Sequence, residues 1–265
     1  MIVVSPPEVK EQVAIRVTPA QAHTWALCGG FFRAQYRPGR PFVASYSSLL
    51  GTSVHELIAA FDRAAGLEQE TLDTLVGRHW RGGRFAMDDD HRALGEARML
   101  LAAYATLRQA ETVEVLGSEV FCQTAPRALG IGIGQTIILS GRIDRVAQRG
   151  DGVIELLDFK TGAYLPTYDE LYNDPATTIY HLLAEERYNA GRIVVAQLSL
   201  RTGARVEVEL DAEGVAGGKG CLREMARQLT ADDFSLDPSA CCAFCPARTT
   251  CPALLCGGHA VERPL

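Results

Sequence analysis

Lysine is scarce in this 265-residue chain, and so are long apolar runs. Lys10, Lys160 and Lys219 are the only lysines, although lysine and arginine together number 26. No apolar stretch reaches the length that crosses a bilayer, and residues 1–10 lack the basic start and apolar centre of a signal peptide. Internal repeats and low-complexity segments are absent as well. From these absences we expect a cytoplasmic protein with no membrane partner.

The composition is that of an ordinary globular protein, with 47% hydrophobic and 22% charged residues. The length suits one domain with elaborations. A net charge of -6 argues against a protein coated in basic surface, but a local basic groove for nucleic acid remains compatible with it. Eight cysteines in a cytoplasmic protein indicate metal or cluster ligation more than disulfides.

A hairpin is the strongest local pattern in the sequence. Residues 140–146 and 153–160 are rich in strand-forming types, and residues 149–152 read Arg-Gly-Asp-Gly, a strong turn signal. A three-residue loop within this turn fixes the register. Counting outward from it places Asp144 directly opposite Asp158.

Asp144, Asp158 and Lys160 are therefore expected on one face at one end of the hairpin, because opposed residues share a face and the strand repeat is two. Two close carboxylates repel each other, and their hard oxygens suit Mg²⁺ or Mn²⁺. A lysine beside such an ion can orient a water and steady charge on a phosphate. A surface hairpin with a cross-strand salt bridge explains the same charges, although the apolar surroundings of Asp158 and Lys160 argue against it.

The hairpin reads Gly-Arg-Ile-Asp-Arg from residue 141 and Leu-Asp-Phe-Lys-Thr-Gly from residue 157. It resembles the active-site hairpin of the RecB-like branch of the PD-(D/E)XK nuclease superfamily. The resemblance implies that Asp144, Asp158 and Lys160 are catalytic. It also implies that Asp144, Asp158, the carbonyl of Phe159 and His55 bind Mg²⁺ or Mn²⁺. His55 ends a Gly-x-x-x-His pattern at a predicted helix start; without the hairpin, such a histidine is more often a core or rim residue.

Two further positions match the family less completely. Tyr180 lies on a predicted helix, and the resemblance implies that it positions the substrate. The family usually has a glutamine four residues earlier, where this chain has Ala176. Glu119 lies on a predicted strand where relatives often have an acid, and both a site residue and a core-edge carboxylate are consistent with its position.

The C-terminal part is dense in cysteine, at Cys241, Cys242, Cys245, Cys251 and Cys256. Such density indicates a bound metal centre. Four of these local thiols could hold zinc. Alternatively, Cys242, Cys245 and Cys251 could join the distant Cys28 around a [4Fe–4S] cluster. The set of Cys28, Cys242, Cys245 and Cys251 resembles the iron–sulfur nucleases of the same branch, namely the AddB nuclease domain and RecB-like CRISPR-associated exonucleases. We favour the cluster, which would join the two chain ends.

The fold expected is α/β, a restriction-endonuclease-like core with a mixed central sheet flanked by helices. We expect an N-terminal segment over residues 1–50, a nuclease core over 51–230 and a cysteine-rich segment over 231–265. Other predicted elements are a helix starting at Thr18-Pro19, one opening at Gly51 with a Ser53–Glu56 capping box, a helix over 91–110, a strand over 113–123, a loop over 161–175, a helix over 176–189, a second hairpin over 192–210 and a helix over 214–229.

The resemblance implies a DNA exonuclease that acts on single-stranded DNA or duplex ends in repair or recombination. A subunit of CRISPR adaptation that trims spacer-precursor ends with integrase proteins is the alternative within the same fold. A helicase partner and a homo-oligomer are also compatible with the resemblance. A non-catalytic DNA-binding scaffold is the alternative of another class, and the intact Asp144, Asp158 and Lys160 argue against it.

Overall fold

The computed structural model describes residues 13–36, 44–64, 71–126, 135–237 and 240–255. Residues 1–12 of the predicted N-terminal segment lie outside these ranges, and so does Cys256. The strands are β1 (Val13–Val17), β2 (Glu114–Gln123), β3 (Gln135–Gln148), β4 (Ile154–Lys160), β5 (Ile193–Ser199) and β6 (Arg205–Glu209). The helices are α1 (Pro19–Leu27), α2 (Gly29–Gln35), α3 (Tyr46–Ala64), α4 (Leu72–His79), α5 (Met87–Gln109), α6 (Tyr168–Asn173), α7 (Pro175–Tyr188), α8 (Ala212–Ala231) and α9 (Pro252–Leu255). None of the described helices is both long and apolar enough to cross a membrane.

The strands form one mixed sheet in the order β1-β3-β4-β5-β6, with β2 paired to β3. The β1–β3 and β4–β5 pairs are parallel, and the β2–β3, β3–β4 and β5–β6 pairs are antiparallel. Helices cover both faces of the sheet. Apolar side chains that alternate along the strands pack against the helices on each face. The expected α/β fold with a mixed sheet flanked by helices is confirmed.

Each face of the sheet has its own hydrophobic core. On one face, Leu156 of β4 packs with Ile179 of α7 and Met225 of α8. On the other face, its neighbour Leu157 packs with Leu57 of α3 and Leu101 of α5. This arrangement is a three-layer sandwich of helices, sheet and helices.

The β3–β4 hairpin has the predicted register. Its ladder runs from Gln148↔Ile154 to Arg145↔Leu157, and the Arg149 N–H donates to the carbonyl of Val153 at 2.9 Å across the turn. One step beyond the last pair, the count places Asp144 opposite Asp158. Local turn chemistry was therefore enough to align the two aspartates.

The start of α3 differs from the prediction. The helix begins at Tyr46, where the Ser45 hydroxyl accepts a hydrogen bond from the Ser48 N–H at 3.2 Å. Ser53 is buried well inside the helix, and Glu56 accepts a hydrogen bond from Arg84 instead of capping a terminus. The Ser53–Glu56 capping box was therefore wrong, and the proposed domain boundary at residue 51 falls within a continuous helix.

Helix α6 occupies part of the segment that was predicted as a loop. Thr167 and Glu170 form a reciprocal capping box at its start: the Glu170 carboxylate accepts the Thr167 N–H at 2.7 Å, and the Thr167 hydroxyl accepts the Glu170 N–H at 3.2 Å. This pair has the capping-box spacing in the sequence and could have revealed the helix.

Candidate functional site

The site lies where β3 and β4 part. Beyond Arg145↔Leu157 the two strands diverge, while β4 stays paired with β5 through Lys160↔Ser199. The N–H of Phe159 donates to Asp144 Oδ2 at 2.7 Å. One oxygen of Asp144 is thus fixed by the backbone of the neighbouring strand, and the other is directed at the adjacent helical layer.

His55 reaches this point from α3. Its Nδ1 lies 3.2 Å from Asp144 Oδ1, and its Nε2 lies 3.0 Å from the carbonyl oxygen of Phe159. Burial disfavours the imidazolium, but the charge and hydrogen bond of Asp144, with the charges of Asp158 and Glu119, raise the pKa of His55 to about 9. Two of the three side chains that the resemblance grouped with the Phe159 carbonyl, those of His55 and Asp144, are therefore in contact with Phe159.

Glu119 completes a group of three ligands. In the β2–β3 count it lies opposite Asp144, between the pairs Ser118↔Arg145 and Val120↔Ile143. Its Oε1 lies 3.8 Å from His55 Nδ1. Ligand atoms of His55, Glu119 and Asp144 all lie within 4.8 Å of one another, and no other His, Cys, Asp or Glu group of three or more in the described parts of the chain does so.

The backbone of β2 is distorted at this residue. Glu119 has φ 54°, in the left-handed region that side chains other than glycine rarely adopt. Next to it, the Ser118 hydroxyl donates to Asp62 Oδ2 of α3 at 2.6 Å. This hydrogen bond therefore holds β2 to α3 next to the residue with the left-handed backbone. The sequence placed Glu119 on a strand but did not indicate its left-handed backbone conformation. For this reason the role of Glu119 stayed open.

Asp158 and Lys160 form a pair beside the three-ligand group. Lys160 Nζ lies 2.5 Å from Asp158 Oδ2. Burial, with the negative charge of Asp144, raises the pKa of Asp158 despite the nearby ammonium. Burial opposes the ammonium form of Lys160, but the charge and hydrogen bond of Asp158 raise the pKa of Lys160, so it is a cation at neutral pH. The structure places Asp158 against Lys160, and its role as a metal ligand stays a prediction.

Tyr180 faces both aspartates from α7. A small cavity of about 10 Å³ is lined by Tyr180, Asp144 and Asp158 together with apolar side chains of the sheet. Burial, with the charges of Asp158 and Asp144, raises the pKa of Tyr180 well above its ordinary value. The side chain is therefore a neutral phenol that can donate a hydrogen bond. Ala176 lies in the first turn of the same helix and offers no polar group there.

Arg145 fixes the hairpin from inside the protein. It is fully buried and donates to both carboxylate oxygens of Glu111, at 2.7 and 2.9 Å, to Glu155 at 3.3 Å and to the hydroxyl of Tyr104 at 3.2 Å. The Tyr104 ring in turn packs edge-on against Phe159, with centroids 5.1 Å apart. Because a buried ion must be paired, this network holds the residue after Asp144 in one position.

A second cluster lies at the cysteines. Cys28 ends α1, and it lines a cavity of about 970 Å³ together with Cys242, Cys245 and Cys251. The N–H of Asp237 donates to the Cys28 sulfur at 3.4 Å. Burial, with the neighbouring Cys28, Cys242 and Cys251, raises the pKa of Cys245. The structure therefore brings together the four thiols that the family resemblance selected.

The four thiols are less tightly grouped than the three ligands of the first cluster. The four thiols, all within the described residues, form no group of ligands within 4.8 Å. Cys122 is buried in the core instead, and Cys221 lies half-buried on α8.

A mixed sheet between two helical layers, with its charged side chains gathered where two strands part, is the restriction-endonuclease-like architecture. The chain belongs to the PD-(D/E)XK nuclease superfamily, whose family model matches residues 16–252. This match covers both the hairpin and the four thiols.

Among curated proteins, no relative matches the chain. A protein from Eubacterium rectale whose name proposes an exonuclease has a similar crystal structure, with 10% identity and a TM-score of 0.48 over 94% of this chain and 90% of that one. The crystal structure of SSO0001 is similar at 15% identity and a TM-score of 0.39, over 80% of this chain and 89% of that one.

Proposed function

We propose that this chain is a metal-dependent exonuclease that hydrolyses phosphodiester bonds in single-stranded DNA or at frayed duplex ends. The observation that carries the proposal is the convergence of His55, Glu119 and Asp144 beside the Asp158–Lys160 pair. A structural salt bridge alone does not need three ligands aimed at one point. Membership of the nuclease superfamily supports the same reaction.

The donor set suits Mg²⁺ or Mn²⁺, because it combines two carboxylates with one imidazole. His55, Glu119 and Asp144 would hold the ion, and we include Asp158 and the Phe159 carbonyl in the proposed set. When bound, such an ion polarises a phosphoryl oxygen and lowers the pKa of a coordinated water. The Phe159 N–H fixes the orientation of Asp144 before any ion arrives.

Lys160 and Tyr180 would act on the substrate. The Lys160 ammonium, held by Asp158, can orient the attacking water and balance negative charge on the phosphate. The Tyr180 phenol faces the same aspartates and can donate to a phosphate oxygen. With Ala176 in place of the family's glutamine, Tyr180 is the polar side chain that α7 directs at this point.

For the second cluster we propose a [4Fe–4S] centre held by Cys28, Cys242, Cys245 and Cys251, as in the iron–sulfur branch of the RecB-like nucleases. The cavity that the four thiols share supports it. When bound, such a centre would join the segment after α1 to the segment before α9. Its contribution would be to stability before any redox chemistry.

The test is digestion of end-labelled single-stranded DNA with Mn²⁺ by the native protein, Lys160→Ala and Lys219→Ala. Lys219 is the other lysine among the described residues and lies on α8, so it controls for loss of a lysine charge. We expect Lys160→Ala to lose about a hundredfold or more of the rate, while Lys219→Ala keeps it. Equal digestion by all three would assign the activity to another site or a contaminant.

Two results would favour the other functions. If the native protein digests DNA only when an integrase or a helicase is added, the CRISPR-adaptation or helicase-coupled function replaces the free-standing exonuclease. If it binds DNA but never digests it, with or without partners, the protein is a non-catalytic scaffold.

A further inference from the structure

An exposed aromatic and an exposed arginine lie beside the three-ligand group. Phe121 of β2 is directly paired with Arg142 of β3, so their side chains share one face of the sheet. The exposed fractions are 59% for Phe121 and 65% for the Arg142 side chain. A single exposed ring is common on a protein surface, and this one is distinguished by its pairing with an arginine that contacts a candidate metal ligand.

The position of this pair relative to the site is fixed by a contact. Arg142 Nη1 donates to Glu119 Oε2 at 3.3 Å, and Glu119 is one of the three candidate ligands. The adjacent residues Val120 and Cys122 point into the core beneath α7. Since side chains alternate along a strand, Phe121 and Arg142 turn away from that core, towards solvent at the rim of the site.

We propose that Phe121 and Arg142 form a nucleotide-binding subsite that selects single-stranded DNA. Phe121 stacks on one unpaired base, and Arg142 binds the phosphate adjacent to that base. A guanidinium has five donors in a planar fork, so the contact with Glu119 leaves others for a phosphate. Stacking on an aromatic ring requires an unpaired base, which gives the preference for single strands without base-specific contacts. This inference rests on the proposed function, because it names the substrate of the same site.

The first experiment measures binding of a labelled single-stranded oligodeoxynucleotide by fluorescence anisotropy in the Lys160→Ala background with Mn²⁺. Phe121→Ala should weaken binding by about 5- to 150-fold, the range for loss of one stacked base. Phe121→Trp should retain binding, since indole also stacks. The matched control is Tyr168→Ala, which removes a side chain that is 54% exposed on α6.

A second substrate separates stacking from a general loss of structure. With an oligonucleotide of the same length that carries abasic sites, the parent should bind more weakly and Phe121→Ala should bind as the parent does. The two changes form a cycle in which the penalty of each disappears in the presence of the other. An equal penalty for Phe121→Ala on both substrates would overturn the stacking role.

The phosphate contact is tested through salt dependence. Arg142→Gln should reduce the slope of log affinity against log salt concentration by about 0.7, the value for one phosphate contact on a single strand. Arg227→Gln is the control, since Arg227 is 56% exposed on α8 and is also paired with a glutamate, Glu224. An unchanged slope for Arg142→Gln would exclude a direct phosphate contact.

The outcomes distinguish this inference from the proposed function. If the native protein digests single-stranded DNA but Phe121→Ala binds like Tyr168→Ala, the subsite is overturned and the exonuclease stands. If the parent binds no single-stranded DNA and the native protein digests none, both are overturned.

Discussion

The carboxylate of Glu119 is directed into the site by an unusual backbone conformation. A residue at φ 54° in a strand carries a cost of order 1–3 kcal/mol, which the surroundings must offset. The hydrogen bond from Ser118 to Asp62 and the pairing of Val120 with Ile143 hold the strand on either side. Such strain is more often found at functional positions than in inert strand, which agrees with a ligand role for Glu119.

Replacing Glu119 by glutamine should therefore weaken metal binding without unfolding the protein. We expect Glu119→Gln to bind Mn²⁺ at least about tenfold more weakly, because a charged ligand is lost. Glu114→Gln, at the exposed start of the same strand, should bind as the native protein does. Isothermal titration with Mn²⁺ checks both variants, and equal affinity for all three proteins would remove Glu119 from the ligand set.

For individual residues, the sequence predicted the positions that follow from counting along a short hairpin. Asp144 and Asp158 were aligned correctly because a short turn fixes the register of the strands that flank it. The role of His55 was predicted only from the family resemblance, since nothing in the sequence of α3 shows that Phe159 lies next to it. The left-handed backbone at Glu119 depends on contacts between β2 and α3, so composition and spacing could not predict it.

Helices α7 and α8 approach each other closely at Gly218. A Cβ added at Gly218 of α8 would lie 1.8 Å from Thr178 Oγ1 and 2.6 Å from Thr178 Cβ. Thr178 is buried on α7, the helix that also carries Tyr180. Glycine at 218 therefore permits an approach that sets the position of α7 over the site.

Two adjacent glycines of α8 give a matched pair for testing this contact. Gly218→Ala should lower the free energy of unfolding by about 1–3 kcal/mol, because the added methyl group overpacks the interface. Gly217→Ala meets nothing within 4 Å and should raise it by about 0.5–1 kcal/mol through helix propensity. Urea denaturation measures both, and a neutral or stabilising Gly218→Ala would mean that the helices are further apart than described.

Helix boundaries show the limit of pattern recognition for whole elements. Ser53 and Glu56 have capping-box spacing but lie inside α3, whereas Thr167 and Glu170 have the same spacing and do start a helix. The difference is decided by the preceding chain, since residues from Tyr46 onward already pack as helix. Helices with clear periodicity, such as α5 and α8, were predicted within a few residues of their ends.

For the molecule as a whole, the four-thiol cavity joins segments that are distant in the sequence. Cys28 follows α1, and Cys242, Cys245 and Cys251 follow α8. The family spacing predicted this set, although local periodicity carries no information on which distant thiol belongs to it. A bond between such segments stabilises a fold by restricting the unfolded chain.

With the proposed [4Fe–4S] centre in place, Cys251→Ser should lose most of the bound iron and lower the thermal unfolding midpoint. Cys221→Ser, which removes a cysteine of α8 outside the cavity, should keep both. Iron and acid-labile sulfide would be quantified in anaerobically purified protein, together with the midpoint by differential scanning fluorimetry. Zinc without iron in the native protein would contradict the cluster and favour a mononuclear centre.

The order in which these thiols are synthesised has a consequence for biogenesis. Cys28 leaves the ribosome before every described strand except β1, and Cys251 leaves it after all of them. A centre that binds all four thiols can close only when the sheet is already translated. The last step in maturation of a newly made chain would then be insertion of that centre, after the sheet has folded.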